Sequence, residues 1–186
     1  MNFRKNRVCP VGRSWSLDNR VRRWFYDPRR ILGSTLKEGM TVLDFGCGPG
    51  FFTLDIARMV GPSGRVIAAD LQAEMLEKLK GKIEGSGLGE RITVHQCRED
   101  GIGLPGPIDF ALVFYALHEL PDQRSFLKEI RELLVSKGQM LVVEPPLHVS
   151  KAEFEAVLRT AQDAGFSVAE RPRVFLSKAA LLRRGP

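Results

Sequence analysis

Asp44, Gly46, Gly48 and Gly50 alternate through the stretch VLDFGCGPG (42–50), and Asp70 follows twenty residues after the last glycine. A run of glycines leaves main chain bare, so that a ligand can lie where a Cβ would otherwise collide with it. Two phosphate-binding patterns fail here. The dinucleotide fingerprint G-x-G-x-x-G needs a third glycine where Phe51 stands, and no Lys-Ser/Thr follows as a P-loop requires. The acid just before the loop repels a pyrophosphate and suits an ammonium or sulfonium. A carboxylate at Asp70 accepts hydrogen bonds from both hydroxyls of a ribose. The pattern therefore asks for a ribose with a cationic, amino-acid-like tail and no phosphate, a description that S-adenosylmethionine meets.

These groups must be held by alternating strands and helices. MTVLDF is a short apolar strand of the kind covered on both faces, and FFTLDIARMV a helix closed by GPSG. RVIAAD, RITVHQ, IDFALVFYA and GQMLVVE read as further strands. AEMLEKLKGKIEGSG, with Met75, Leu76, Leu79 and Ile83 on one face, and DQRSFLKEIRELLVSKG, with Phe126, Leu127, Ile130, Leu133 and Leu134, read as helices. Ser150 and Glu153 form a capping box for another helix burying Phe154, Val157, Leu158 and Ala161. FSVAER and RVFLSKAALL read as a final strand pair joined tightly around Arg171–Arg173. Upstream, LDNRVRRWFYDPRRILGSTL predicts one or two helices, the second starting at Asp27-Pro28 and closing at Gly39, with Val21, Trp24, Phe25, Ile31 and Leu32 buried. The expected fold is α/β: a Rossmann-like, doubly wound sheet of seven strands, mostly parallel with an antiparallel edge strand and helices on both faces. Ligands bind such sheets at the carboxyl ends of the strands, where strand order reverses.

The 186 residues, 44% hydrophobic, suit one domain. Residues 1–35 are expected as a basic helical segment over a core of residues 36–186. Of 28 Lys/Arg and 22 Asp/Glu, nine and two fall within residues 1–30, so the excess of positive charge sits at the front and the body is near neutral. Such a front attracts nucleic acid, anionic lipid or an acidic small molecule, or simply solvates a helix. The three cysteines lie far apart without zinc spacing, so no metal is expected. No apolar run reaches the ~20 residues of a spanning helix. The basic start is not followed by an apolar stretch, and the cytoplasm is the expected location.

Together VLDFGCGPG, VIAADLQAEML, FYALHELPD and LKEIRELLVSKGQMLVVE resemble the class I S-adenosylmethionine-dependent methyltransferases. The likeness runs over residues 36–170 and is nearest the branch containing the ubiquinone/menaquinone-biosynthesis C-methyltransferases. It implies that Asp44 and the main chain of Gly46, Cys47 and Gly48 surround the methionine moiety, that Asp70 takes the ribose diol, and that Leu71 packs on the adenine. Cys47 would be a small loop filler rather than a nucleophile. Where the family has Gly-Asp-Ala after the third strand, this chain has HQCREDGIGLP, which points to the main chain of Arg98 and Glu99, then Asp100, for the adenine contact. Phe114 and Tyr115 would line the wall beside the sulfonium.

His118, in the loop after the fourth strand, is the candidate proton acceptor from a hydroxyl, thiol or activated carbon; the alternative is a polar residue holding its loop. In-line methyl transfer depends chiefly on alignment, so a dedicated base is not obligatory. EPPLH (144–148) has the wrong flanks for the amino-methylating Pro-Pro-aromatic signature and reads as a loop placing His148 at the substrate mouth or on the surface. His95, within a strand, reads as structural. With no inserted cap domain, the front segment is the candidate lid, with Trp15, Trp24, Phe25 and Tyr26 lining an acceptor pocket or merely packing on the sheet. The leading expectation is methyl transfer to a small-molecule acceptor. The alternatives are an RNA methyltransferase using the basic front, or a non-catalytic cofactor-binding module. An exposed front segment also allows a homodimer.

Overall fold

The computed structural model describes residues 24–98 and 100–185. Trp15, Val21 and Glu99 therefore lie outside the described residues. Chain order is α1 (Pro28–Leu32), β1 (Thr41–Phe45), α2 (Thr53–Met59), β2 (Arg65–Asp70), α3 (Ala73–Glu84), β3 (Ile92–Gln96), β4 (Ile108–Phe114), α4 (Gln123–Leu133), β5 (Leu134–Glu144), α5 (Lys151–Asp163), β6 (Phe166–Glu170) and β7 (Lys178–Arg184). The seven strands form one sheet in the order β3-β2-β1-β4-β5-β7-β6. β3, β2, β1, β4 and β5 pair in parallel, and β7 runs antiparallel to both β5 and β6. The antiparallel strand thus sits at the expected end of the sheet, with β6 outside it. Strand order reverses between β1 and β4, and the loops that leave the carboxyl ends of those two strands face each other there.

Side-chain parity along the strands decides which layer each residue joins. Leu43, Ala111, Val113, Met140 and Val142 pack with Phe126, Leu127 and Ile130 of α4 and Phe154 and Leu158 of α5. Their neighbours Val42, Phe110, Leu112, Leu141 and Val143 pack on the other face with Leu32, Ile56 of α2, and Leu76 and Leu79 of α3. Asp44 and Asp70 share the parity of this second face, whereas Glu144, ending β5, has the parity of the first. Ser150 caps α5 with the reciprocal bonds of a capping box, and Phe154, Val157, Leu158 and Ala161 are buried as expected.

Several boundaries differ from the sequence reading. Asp27 does cap α1 by accepting from Arg29 N, but α1 ends at Leu32 with Gly33 as its C-cap, and Gly39 instead turns the chain at a φ of 85° into β1. α4 ends at Leu133, with Leu134 already extended; β5 then bulges, so that Ile108 faces Leu134 while Phe110 faces Gln139. The expected strand at residues 173–182 begins only at Lys178, because the chain turns between Val174 and Ser177 and sends Phe175 and Leu176 outward. Trp24 and Phe25, expected inside, are 76% and 37% exposed, whereas Leu32 is fully buried. Among the described residues, no helix is long and apolar enough to cross a membrane.

Candidate active site

The glycine loop lies between β1 and α2, and its three glycines have different jobs. All take positive φ, 68° at Gly46, 53° at Gly48 and 82° at Gly50, where side chains are strained. A Cβ on Gly46 would stand 2.6 Å from Ala116 Cβ, and one on Gly50 2.4 Å from Leu79 Cδ1. Those two are small because the protein's own packing needs the room. A Cβ on Gly48 would meet nothing within 4 Å. Of the three, Gly48 alone is uncrowded by the described residues, so the protein's own packing accounts for Gly46 and Gly50 and leaves Gly48 as the place where the expected ligand contact is open.

The loop is tied from three sides. Gly46 N and Cys47 N donate to Ala69 O at the end of β2 (2.8 and 3.1 Å). Asp70 Oδ2 accepts from Gly48 N at 2.9 Å, and Lys82 Nζ of α3 donates to Pro49 O at 2.6 Å. Asp70 Oδ1 accepts from Gln72 N at 2.9 Å. With about four acceptor positions on a carboxylate, lone pairs remain for a diol. Asp70 therefore both shapes the cradle and stands beside it. Burial raises its pKa, against the pull of the Gln72 and Gly48 amides. Cys47 is buried, and burial, with Asp44 and Asp70 adding, pushes its thiol well above the ordinary range. Cys97 is likewise pushed up to about 12, chiefly by burial. Neither is poised as a thiolate nucleophile.

Asp44 is buried, and its Oδ2 accepts from Thr53 Oγ1 at 2.6 Å. Burial pushes its carboxyl up to about 7, opposed by the Thr53 hydroxyl and assisted by the Asp70 charge. A carboxyl so placed is readily ionised by a nearby cation, which replaces the missing solvation. Open space over Gly48, with one buried carboxyl behind the loop and a second beside it, fits a phosphate-free cationic nucleoside. No group of His, Cys, Asp or Glu among the described residues is arranged to hold a metal ion.

Beyond β2, Leu71 is 40% exposed and Gln96 Nε2 reaches its carbonyl at 3.3 Å. An apolar side chain standing out beside Asp70 is suited to a base. After β3, Cys97 N donates to Asp70 O, and Arg98 and Gly101 form an isolated antiparallel bridge. The Arg98 and Asp100 side chains are exposed, with Nε and Oδ1 3.8 Å apart. The bridge engages Arg98 N and O with Gly101, so the turn is self-contained; its side chains add little stability.

The end of β4 carries the densest cluster. Tyr115 has a φ of 61°, strained for a bulky residue. Its amide is tied to Val143 O at 2.8 Å, and its hydroxyl lies 2.8 Å from Tyr26 Oη and 2.6 Å from Ser177 Oγ. The Tyr26 ring packs edge-on against Phe114 and Tyr115, and Phe25 stacks on Phe175 at 4.4 Å. The strand end, the segment before α1 and the β6–β7 loop, with Tyr26 among them, thus meet in one aromatic cluster.

His118 follows in a short 3-10 turn, Leu117–Glu119. Glu144, almost wholly buried, turns both oxygens on it: Oε1 accepts from the His118 amide at 3.2 Å, and Oε2 lies 2.5 Å from Nδ1. His148 is exposed, its ring 5.7 Å from that of His118. His95 is engaged elsewhere, Nε2 lying 2.6 Å from Ile102 O.

Sequence reasoning missed Thr53, Lys82, Ser177 and Glu144. Only Glu144 carried a signal: an acid ending an otherwise apolar strand must be buried with a partner or lie at a site. A cavity of about 620 Å³, lined by Ser136, Lys137, Gln139, Ser167, Arg183, Arg184 and Gly185, lies at the opposite end of β5 and contains none of the expected site residues.

The strand order and the cradle at its reversal define the Rossmann-like methyltransferase architecture. A family profile described as a methyltransferase domain matches residues 36–170, and the chain belongs to that family. The chain is 33% identical over 123 residues to the demethylmenaquinone methyltransferase of Lactococcus lactis, covering 63% of this chain and 48% of that protein. It is 31% identical over 112 residues to the ubiquinone/menaquinone biosynthesis C-methyltransferase of Hahella chejuensis, covering 60% and 45%. The chain spans about half the length of these curated relatives. Among solved structures, a SAM-dependent methyltransferase from Aquifex aeolicus superposes with a TM-score of 0.84 at 29% identity, covering 95% of this chain and 98% of that one.

Proposed function

We propose that this chain is an S-adenosylmethionine-dependent methyltransferase acting on a small-molecule acceptor. The observation that carries the reading is the open space over Gly48 beside a carboxylate, Asp70, that also braces the loop. Asp70 would hold the ribose diol and Leu71 the adenine face. The Gly46–Gly48 main chain, with Asp44 ionised behind it, would hold the cationic tail. Phe114 and Tyr115 would wall the methyl-bearing end. When bound, the cofactor supplies a methyl group on a sulfonium whose C–S bond breaks with its electron pair left on sulfur. The residues' part is alignment, which in a displacement of this kind accounts for most of the acceleration.

In this reading the described part of the front segment, residues 24–35, borders the acceptor side of the site, and Tyr26 anchors it through the Tyr115 hydroxyl and the Phe114 ring. An aromatic rim of Phe25, Tyr26 and Phe175 suits a planar, partly apolar acceptor. The relatives named for demethylmenaquinone and for C-methylation in ubiquinone/menaquinone biosynthesis support the same class. Calorimetric titration with S-adenosylmethionine comes first, then methyl transfer to a short-chain demethylmenaquinol at low and high salt. Binding followed by turnover that changes little with salt is expected. Uptake of NAD or ATP instead refutes the reading, and steep loss of acceptor binding with salt moves it to RNA.

A further inference from the structure

We propose that Glu144 is the positioning residue that makes His118 a proton acceptor, and that the methyl acceptor is one that must surrender a proton, a phenolic or enolic hydroxyl or the ring carbon that such a hydroxyl activates. The inference rests on the methyl-transfer reading for its chemistry but on independent geometry for its residues. Glu144 ends β5 almost wholly buried, and both its oxygens are turned on one residue, the His118 amide and Nδ1. In the proposed arrangement Glu144 acts as the hydrogen-bond acceptor, which puts the hydrogen on Nδ1 and the basic lone pair on Nε2. A surface loop histidine does not need a buried carboxylate; holding one inside the sheet is unfavourable unless it is matched by a partner. Among the described residues, the charged or titratable groups near the pair include Glu119 next in sequence, His148 and, opposite Glu144 in the β5–β7 register, Lys178.

The placement agrees. Ala116, two residues before His118, is the side chain that a Cβ on Gly46 would strike, so the turn bearing His118 abuts the cofactor cradle. In the step itself the acceptor's electron pair forms the new bond to the methyl carbon. The departing O–H or ring C–H proton moves to His118 Nε2, and the resulting imidazolium is held by the Glu144 carboxylate until the proton passes to water. Charge balances: a sulfonium and a neutral acceptor give a thioether, a methylated product and one proton. An acceptor with no proton to lose, such as a thioether, gains nothing from this pair.

The test uses the full chain with ¹⁵N-labelled histidine, of which there are three. In the parent protein His118 should be the Nδ1–H tautomer. Glu144→Leu, close in volume and free of charge, should convert it to mostly Nε2–H while His95 keeps its signals. Glu144→Gln still accepts from Nδ1 but cannot stabilise the imidazolium. With 1,4-naphthohydroquinone as acceptor its kcat should fall about 100-fold, within the usual range for acid–base catalysis, with KM and calorimetric cofactor affinity nearly unchanged. Thioanisole should not be methylated by either protein. An unchanged His118 tautomer in Glu144→Leu, an unchanged kcat in Glu144→Gln, or turnover of thioanisole overturns the proposal. Failure of the parent to bind S-adenosylmethionine would instead overturn the methyl-transfer reading, leaving the tautomer result to stand by itself.

Discussion

Replacing Asp44 by Asn tests whether a buried carboxyl behind the glycine loop is held ready for a cation. Burial raises Asp44 from an ordinary 3.8 to about 7. The folded state thus binds this proton more tightly than the unfolded chain does, so stability from this group is fully present below about pH 4. It is lost as pH rises towards 7 and is flat above that. At 1.36 kcal/mol per pH unit, the whole interval corresponds to about 4 kcal/mol, and the part between pH 5 and pH 8 to about 3 kcal/mol. Asn keeps an oxygen to accept from Thr53 Oγ1 but does not titrate. Urea unfolding at pH 5 and pH 8 measures the difference. With a slope near 2 kcal/mol per M, the parent's midpoint should fall by about 1.5 M more than the variant's. Asp70 moves in the same direction, but it is present in both proteins and cancels. A bound sulfonium should pull the proton off Asp44. Cofactor affinity of the parent should therefore rise up to about tenfold per pH unit below 7 and level off above it, while that of Asp44→Asn stays flat and lower. Calorimetry in buffers of different ionisation enthalpy would register the released proton. Parallel pH profiles for the two proteins would refute the reasoning, because they would mean that Asp44 is already ionised in the empty fold.

The glycines should separate by role. Gly48→Ala, strained by about 1–2 kcal/mol at its positive φ, should stay folded yet lose at least about tenfold in cofactor affinity. Gly46→Ala meets the same strain plus Ala116 at 2.6 Å, adding about 1–3 kcal/mol, and should show a clearly lower Tm. Tyr115→Phe deletes the hydroxyl shared with Tyr26 and Ser177, and thermal unfolding should report a loss of about 1–2 kcal/mol. Ser150→Ala removes one half of the α5 capping box, far from the cradle along the chain. It should lose about 1 kcal/mol in urea unfolding with cofactor affinity unchanged.

Much of the architecture was legible because strand and helix periods leave local traces. RVIAAD reads as a buried strand and is β2 to the residue, and the Ser150–Glu153 pair marks the start of α5. The misses arose where a distant partner overrides local preference. Leu134–Gly138 continues a helical pattern, but Leu134 pairs with Ile108 of β4 and the next residues bulge, and Phe175 leaves a strand-like run to stack on Phe25. Trp24 and Phe25 look like core residues by periodicity, yet they stand on the rim.

By itself the sequence determined the alternation of elements, the loop with its flanking aspartates and the place where a ligand is expected. Each of these follows from residue type and spacing within a short stretch. Only the tertiary structure decided that Gly46 and Gly50 are small for the protein's own packing while no described residue crowds Gly48. It alone joined Tyr26 to Tyr115 and Ser177, and Glu144 to His118 across 26 residues. What a Cβ would strike, and which carboxylate meets which imidazole, depends on the neighbours that sheet order brings together, and no local pattern encodes them.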